Sequence, residues 1–354
     1  MIHFIIGTRA QLIKIAPVMI EIAKRSLDYS FIFTGQHNVT IDELINIFGI
    51  KQPDLNLYEG EEIMKIIQAP LWSLKCISKS VLLKDYFAKE DIVLVHGDAY
   101  SAILGAIIAK LLRVRVGHIE AGLRSFDYFN PFPEEITRVL VSKLTDYHFC
   151  PGSWAINNIN KGVKIDTELN TLYDSLNSFQ ESNIKIEIPK NRYCIVSIHR
   201  FENIFNKVRL KFIIDILIKI SKKIKLLFIL HPSTENKLKK YGFIEMLMNN
   251  NSIELRPRYD YFKFIKLIVN SEFIITDGGS NQEECYYLGK PCLIFRDKTE
   301  RLEGLGRNAI LSELNEKLIN DFVNSYEKHC YPPIKIDKTP SKIIVDFLEE
   351  TLSK

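Results

Sequence analysis

Residues 92–124 read IVLVHGDAYSAILGAIIAKLLRVRVGHIEAGLR. The segment opens on an apolar, β-branched run, Ile92–His96, and passes through Gly97-Asp98 into a helical stretch at Ala102–Leu112. It then returns to a second apolar run, Val114–Ile119. The first run, like many of the strands predicted below, shows no alternation with polar residues, as expected for strands covered on both faces. Strand, helix and strand in that order predict a parallel sheet with helices packed on it. Asp98 and Glu120 come directly after the two strands, flanked by glycines. Packing explains a carboxylate poorly there, and open parallel sheets bind ligands at the carboxyl ends of their strands.

The same unit recurs on both sides. Strands are predicted at His3–Ile6, Phe31–Thr34 and Tyr147–Cys150, with helices at Ala16–Arg25 and Pro133–Thr145. A second series runs through Tyr193–Ile198, Leu226–Leu230, Ile253–Leu255, Phe273–Thr276 and Cys292–Phe295, with helices at Lys207–Lys222 and Asn281–Leu288. A chain of 354 residues is long for one core. The expectation is α/β: two doubly wound, Rossmann-like domains. Asn160–Phe179 is polar and holds no strong strand, so the junction is placed there, with domains at 1–168 and 169–340.

Composition narrows the function. Hydrophobic residues make up 46% and charged residues 25%; 47 Lys and Arg against 43 Asp and Glu leave a net charge of +4. That balance, with no basic run, argues against a nucleic-acid partner. No apolar run reaches the roughly 18 residues of a membrane span. The opening MIHFIIGTRAQLIK is too short in its apolar part for a signal peptide and has no basic residue in front, so it reads as a strand. The six cysteines are scattered without CxxC spacing, against a zinc knuckle or a redox pair. Reduced thiols in a cytoplasmic protein are expected.

The strand ends carry the chemistry. Gly7-Thr8-Arg9 with Lys14 forms a turn into a helix start, where free N–H groups and two cations suit an anion. Glu134 and Glu135 follow Pro133 and suit a first helical turn. Glu134 also joins Asp98 and Glu120 as a set able to transfer protons, since like charges in one cleft spread their pKa values. His199 and His231 stand at adjacent strand ends. Asp277-Gly278-Gly279-Ser280 opens a helix in a way that admits a diphosphate, and Glu284, one turn in, could accept from sugar or ribose hydroxyls. Arg296–Arg301 is too charged for a core. Together these residues suit a nucleotide diphosphate held mainly by the second domain. No Walker lysine motif and no dinucleotide fingerprint are present, so ATP hydrolysis and hydride transfer lack support.

The motifs Gly7-Thr8-Arg9…Lys14, Gln36-His37, Val95-His96-Gly97-Asp98, Gly117-His118-Ile119-Glu120-Ala121-Gly122-Leu123-Arg124 and Pro133-Glu134-Glu135…Arg138 are followed by His199-Arg200…Glu202-Asn203 and His231-Pro232. Then come Asp277-Gly278-Gly279…Gln282-Glu283-Glu284, Leu288-Gly289-Lys290-Pro291 and Arg296-Asp297…Thr299-Glu300-Arg301. In these, almost end to end, the chain resembles the bacterial UDP-N-acetylglucosamine 2-epimerases, in their non-hydrolysing branch. The resemblance implies a GT-B-like fold with the active site in the cleft between the domains. It also implies a last helix, from about Ser341 to the end, that crosses back to the first domain. The family reaction expels UDP across C1–C2 to give a 2-acetamidoglucal, reprotonates C2 on the other face and adds UDP back. The implied product is UDP-N-acetylmannosamine or a modified UDP-HexNAc, feeding surface polysaccharide such as capsule. Asp98, Glu120 and Glu134 match the acid–base carboxylates, with His199 beside them. Arg9 and Lys14 match cleft cations, Phe262 the aromatic on uracil and Glu284 the ribose acceptor. Gly278, Gly279 and Ser280 match the diphosphate loop; Arg138, His231, Glu300 and Arg301 match further cleft positions. No metal or cofactor is implied. A homodimer is, and in some members a second UDP-sugar bound near Gln36-His37 as activator.

The chain departs from the family pattern at four places. GTRPE reads GTRAQ, with Ala10 and Gln11. HRREN, with Gly two residues on, reads HRFENIF, with Phe201 and Phe205. DSGG reads DGGS, and GNT reads Leu169-Asn170-Thr171. Every carboxylate remains, while the sugar is left open to diacetamido-uronic acids or 6-deoxy-amino sugars. Three alternatives stand beside this reading. One is a hydrolysing epimerase releasing N-acetylmannosamine and UDP, against which GDAYSA lacks an acidic GDR-type segment. The others are a GT-B glycosyltransferase and an inactive UDP-sugar binder, neither of which needs the full proton-transfer set.

Overall fold

In the computed structural model the two strand series form two parallel sheets. The structure describes the chain except residues 37–40, 61–67, 129–131, 181–184, 300 and 354, and at 179–180 it describes the backbone alone. The chain divides into two compact units: Met1–Ser178 with Ile336–Lys354, and Phe179–Lys335.

The first unit contains β1 (Ile2–Ile6), β2 (Tyr29–Phe33), β3 (Leu55–Asn56), β4 (Ile92–His96), β5 (Arg115–Ile119), β6 (Tyr147–Cys150) and β7 (Val163–Asp166), in the spatial order β3-β2-β1-β4-β5-β6-β7. Its helices are α1 (Arg9–Lys24), α2 (Ile41–Phe48), α3 (Ala69–Leu82), α4 (Tyr100–Leu111), α5 (Glu134–Leu144), α6 (Ser153–Ile156) and α7 (Leu172–Gln180). Every residue of β1 and β4 is buried, which is why these strands show no alternation. Phe4 of β1 sits in register with Phe31 of β2 and Leu94 of β4.

The second unit contains α8 (Phe201–Ile204), α9 (Lys207–Ser221), α10 (Pro232–Tyr241), α11 (Ile244–Met248), α12 (Tyr261–Asn270), α13 (Gly279–Leu288) and α14 (Glu316–Ser325). Its strands are β8 (Tyr193–Ser197), β9 (Lys225–Leu230), β10 (Ile253–Pro257), β11 (Ile274–Thr276), β12 (Cys292–Ile294) and β13 (Ala309–Leu311), ordered β10-β9-β8-β11-β12-β13. Leu210, Ile213, Ile214 and Leu217 of α9 pack with Val196, Phe228 and Ile275 of the sheet and with Phe273 just before β11. A buried aliphatic of this kind contributes about 1.5–3 kcal/mol over an exposed one.

The last helix, α15 (Pro340–Leu352), belongs to the first unit. Arg25 at the end of α1 donates to Asp346 at 2.5 Å and to Glu349 at 3.1 Å. The Ser341 amide and hydroxyl donate to the buried Asp174 of α7 at 2.9 and 2.8 Å.

Two sequence expectations change. The polar segment from Asn160 holds β7, paired with β6 through Tyr147 and Val163. It is a mostly exposed edge strand, so it carries no apolar signature. Helix α1 starts at Arg9 rather than Ala16, because Thr8 caps it. The Thr8 hydroxyl accepts from the Gln11 amide while the Gln11 side chain accepts from the Thr8 amide. Among the described residues no helix is long and apolar enough to cross a membrane.

In each sheet the strand order reverses once, between β1 and β4 and between β8 and β11. Crevices at such reversals are where doubly wound sheets take ligands.

Candidate functional site

In the first unit the reversal places Gly7-Thr8, the His96-Gly97-Asp98 turn and Glu120 at the ends of β1, β4 and β5. Glu120 is buried, with φ of +64°. A non-glycine residue in the left-handed region is held there by its surroundings. Its Oε2 accepts from both Lys14 Nζ and Asn170 Nδ2, and His96 Nε2 lies 3.8 Å away. Asp98 accepts from Arg138 Nη2 at 2.5 Å. Arg138 also faces Glu135, which is fully buried and accepts from Arg124 and from the Ser125 and Phe126 amides. Glu134 stands one helical turn before Arg138, so the two share a face of α5. Its Oε2 is buried without a hydrogen-bond partner among the described residues. The two carboxylate clusters meet at Gly97: a Cβ there would lie 3.6 Å from Glu120 Oε1. Behind them His118 Nε2 lies 2.9 Å from the Gly97 carbonyl, and burial depresses its pKa to about 4.

Arg9 is tied to Glu43 of α2 at 3.0 Å. Gln36 accepts from the Ser101 amide at 3.2 Å, while His37 lies outside the described residues.

In the second unit Asp277 is the organising group. It is fully buried and accepts from the His199 amide at 3.0 Å, the Arg200 amide at 2.9 Å and Asn203 Nδ2 at 2.9 Å. The His199 ring stacks on His231, with centroids 4.7 Å apart and planes 20° from parallel. Burial lowers the pKa of both; for His231 it is pushed down to about 3, with His199 and Arg258 adding repulsion. Neutral imidazoles are therefore expected at pH 7. Gly278, the N-cap of α13, lies against His199: a Cβ would meet its Cε1 at 3.1 Å. No side chain caps α13, so its first N–H groups suit an anion. Gly279 is buried, Ser280 is exposed, and buried Glu284 accepts from Asn281 Nδ2 at 2.8 Å.

Phe262 is buried in the first turn of α12. Arg301 is buried 2.7 Å from Glu283 Oε2 of α13. Glu300 lies outside the described residues. The structure thus gathers Lys14, Glu120, Asp98 and Arg138, with Glu134 on the Arg138 face. It separately gathers His199 and His231 with Gly278. Among the described residues no group of three or more His, Cys, Asp or Glu is placed to hold a metal.

Sequence reasoning missed Asn170 and gave no role to Asp277. Asp277 follows β11 directly, and a carboxylate before a Gly-Gly helix start was its only signal. Asp277→Asn keeps the shape but turns an amide N–H₂ toward donors, leaving a buried amide unpaired. A loss of about 1–3 kcal/mol in urea unfolding is expected. An unchanged midpoint would contradict this role.

Two doubly wound parallel sheets, with charged and glycine-rich turns at their carboxyl ends, define a GT-B-like α/β protein. The chain belongs to the UDP-N-acetylglucosamine 2-epimerase family, whose profile matches residues 20–338; the activity of that family is isomerisation. It is 34% identical to the UDP-N-acetylglucosamine 2-epimerase of Methanococcus maripaludis over 377 aligned positions, covering 98% of each chain. The crystal structure of Methanocaldococcus jannaschii UDP-GlcNAc 2-epimerase in complex with UDP-GlcNAc and UDP matches with TM-score 0.82 and 28% identity over 99% of both chains. The Neisseria meningitidis enzyme bound to UDP-GlcNAc matches at 0.83 and 28%, again over 99% of both.

Proposed function

We propose that this chain is a non-hydrolysing UDP-N-acetylglucosamine 2-epimerase. The start of α13, with Gly278, Gly279 and Ser280, takes the diphosphate, and Glu284 takes the ribose hydroxyls. Phe262 packs on uracil, and Arg9, Lys14, His231 and Arg301 serve the substrate as further binding groups. The carboxylates of the first unit act at C2 with His199. A carboxylate takes the C2 proton as the C1–O bond breaks, and the bonding pair leaves on UDP. The 2-acetamidoglucal is then protonated on its opposite face, and UDP adds back at C1. Nothing is oxidised or reduced, and no water is consumed.

One observation carries this reading. Asp98 and Glu120 are held by cations, whereas Glu134 Oε2 is buried with no partner among the described residues. Fixed charges beside one unclaimed carboxylate oxygen suit proton transfer near a departing anion. A glycosyl transfer has no use for such a set around C2. The same reading includes UDP-N-acetylmannosamine as product, a cytoplasmic homodimer, supply of surface polysaccharide, and a second UDP-sugar as activator near Gln36.

Proton NMR with UDP-N-acetylglucosamine in D₂O tests it. A new UDP-N-acetylmannosamine anomeric signal, with deuterium entering C2, is expected. Free N-acetylmannosamine with UDP would instead make the enzyme hydrolysing. An unchanged, undeuterated substrate would overturn the reading for this sugar.

A further inference from the structure

Gln11 is buried, with 3% of its surface exposed, in the first turn of α1. Its Oε1 accepts from the Gly7 amide at 3.0 Å, the Thr8 amide at 3.2 Å and the Ser101 hydroxyl at 2.7 Å. Its Nε2 donates to the His96 carbonyl at 2.8 Å. The orientation of this amide is not interchangeable. Two main-chain N–H groups can only donate, so they require oxygen; a carbonyl can only accept, so it requires N–H₂. The node is also tight, since a Cβ at Gly7 would lie 2.3 Å from Thr34 Oγ1 and 2.6 Å from Ser101 Cβ. One side chain therefore joins the ends of β1 and β4, on either side of the strand-order reversal.

We propose that Gln11 is a positioning residue for the reaction at C2: its donated bond to His96 holds the turn that aims Asp98. The proposal rests on the epimerase reading above. It also gives the change from GTRPE to GTRAQ a physical consequence, because an ionised carboxylate in this place accepts from Gly7, Thr8 and Ser101 but cannot donate to His96.

The substitution Gln11→Glu separates the two functions of the amide. When ionised, the introduced carboxylate sets an oxygen against the His96 carbonyl; once protonated, it can donate as the Gln11 amide does. Burial and that carbonyl raise its pKa; the Gly7 and Thr8 amides and the Ser101 hydroxyl, which would donate to it, lower it, as do the cations Arg9 and Lys14 on α1. The titratable residues of the tethered turn itself are His96 and Asp98. The kcat of Q11E relative to wild type is expected to fall about tenfold near pH 8 and to recover only where the pH is low enough to protonate the introduced carboxylate, with KM unmoved. Amide hydrogen exchange across Ile92–Ser101 should rise and fall in step. A kcat within about twofold of wild type near pH 8, or a variant unfolded at every pH tested, marks Gln11 as simple packing and overturns the proposal. If the wild type itself exchanges no deuterium at C2, the epimerase reading fails, and amide exchange decides Gln11 alone. Protection lost near pH 8 in Q11E keeps the bridge; protection unchanged in Q11E removes it.

Discussion

Glu134→Gln is expected to slow deuterium entry at C2 by about 10²–10⁴-fold, the usual contribution of a positioned acid or base. UDP affinity and the urea midpoint should stay near those of the wild type. The reason lies in how three carboxylates are held. Asp98 engages Arg138, and Glu120 engages Lys14 and Asn170. A carboxylate already engaged by a cation is placed to stabilise a charged transition state, and less free to take a proton from substrate. Glu134 Oε2 is buried and unclaimed among the described residues. It stands in the first turn of α5, where a helix start favours negative charge. Removing its charge costs that helix start about 0.3–1 kcal/mol, too little to account for such a loss by unfolding. NMR exchange rates and calorimetric UDP titration measure the two halves of this expectation. If E134Q keeps its exchange rate within about tenfold of wild type while D98N loses exchange, the proton moves through Asp98 instead.

Much of this site was legible because it sits at strand ends. β1, β4 and β8 announce themselves as largely apolar runs, and β5 as a weaker one interrupted by Arg115 and His118, so the residues that follow them are placed by the strands. What the sequence could not carry are pairings across long separations. Asn170 reaches Glu120 over 50 positions and Gln11 reaches His96 over 85. No local pattern encodes either bond, although Thr8 and Gln11 at the spacing of a capping box were a local signal for the start of α1. The left-handed backbone of Glu120 was likewise hidden, because nothing in its residue type asks for φ of +64°. Arg301 shows the opposite limit. It reads as one member of a charged run, yet it is buried against Glu283, next in sequence to Glu284. Sequence patterning places both acids on α13 but does not say which faces the ligand and which anchors a loop.

Acidification from about pH 7 to about pH 5 is expected to destabilise the first unit steeply, by up to about 2.7 kcal/mol per pH unit. His118 and His148 are directly paired across β5 and β6, and both are buried. Burial depresses each pKa to about 4, and the positive charge that His118 would carry further opposes protonation of His148. An unfolded histidine titrates near 6.5. Between about pH 6.5 and pH 4 the unfolded chain therefore binds protons that the folded chain refuses. The sign follows: stability is complete above the unfolded value and is lost as the pH falls toward the folded one. Each imidazole contributes about 1.4 kcal/mol per pH unit within that window. Carboxylates with ordinary values near 4 add little above about pH 5, while Asp174, whose pKa burial raises, acts in the opposite sense. The measurement is unit-specific, because both tryptophans, Trp72 and Trp154, lie in the first unit. Urea unfolding followed by tryptophan fluorescence should show a midpoint that drops between about pH 7 and about pH 5, and His148→Phe should lower the slope by up to about 1.4 kcal/mol per pH unit. Equal midpoints at the two pH values would mean that these histidines gain protons without cost, against the burial that the structure gives them.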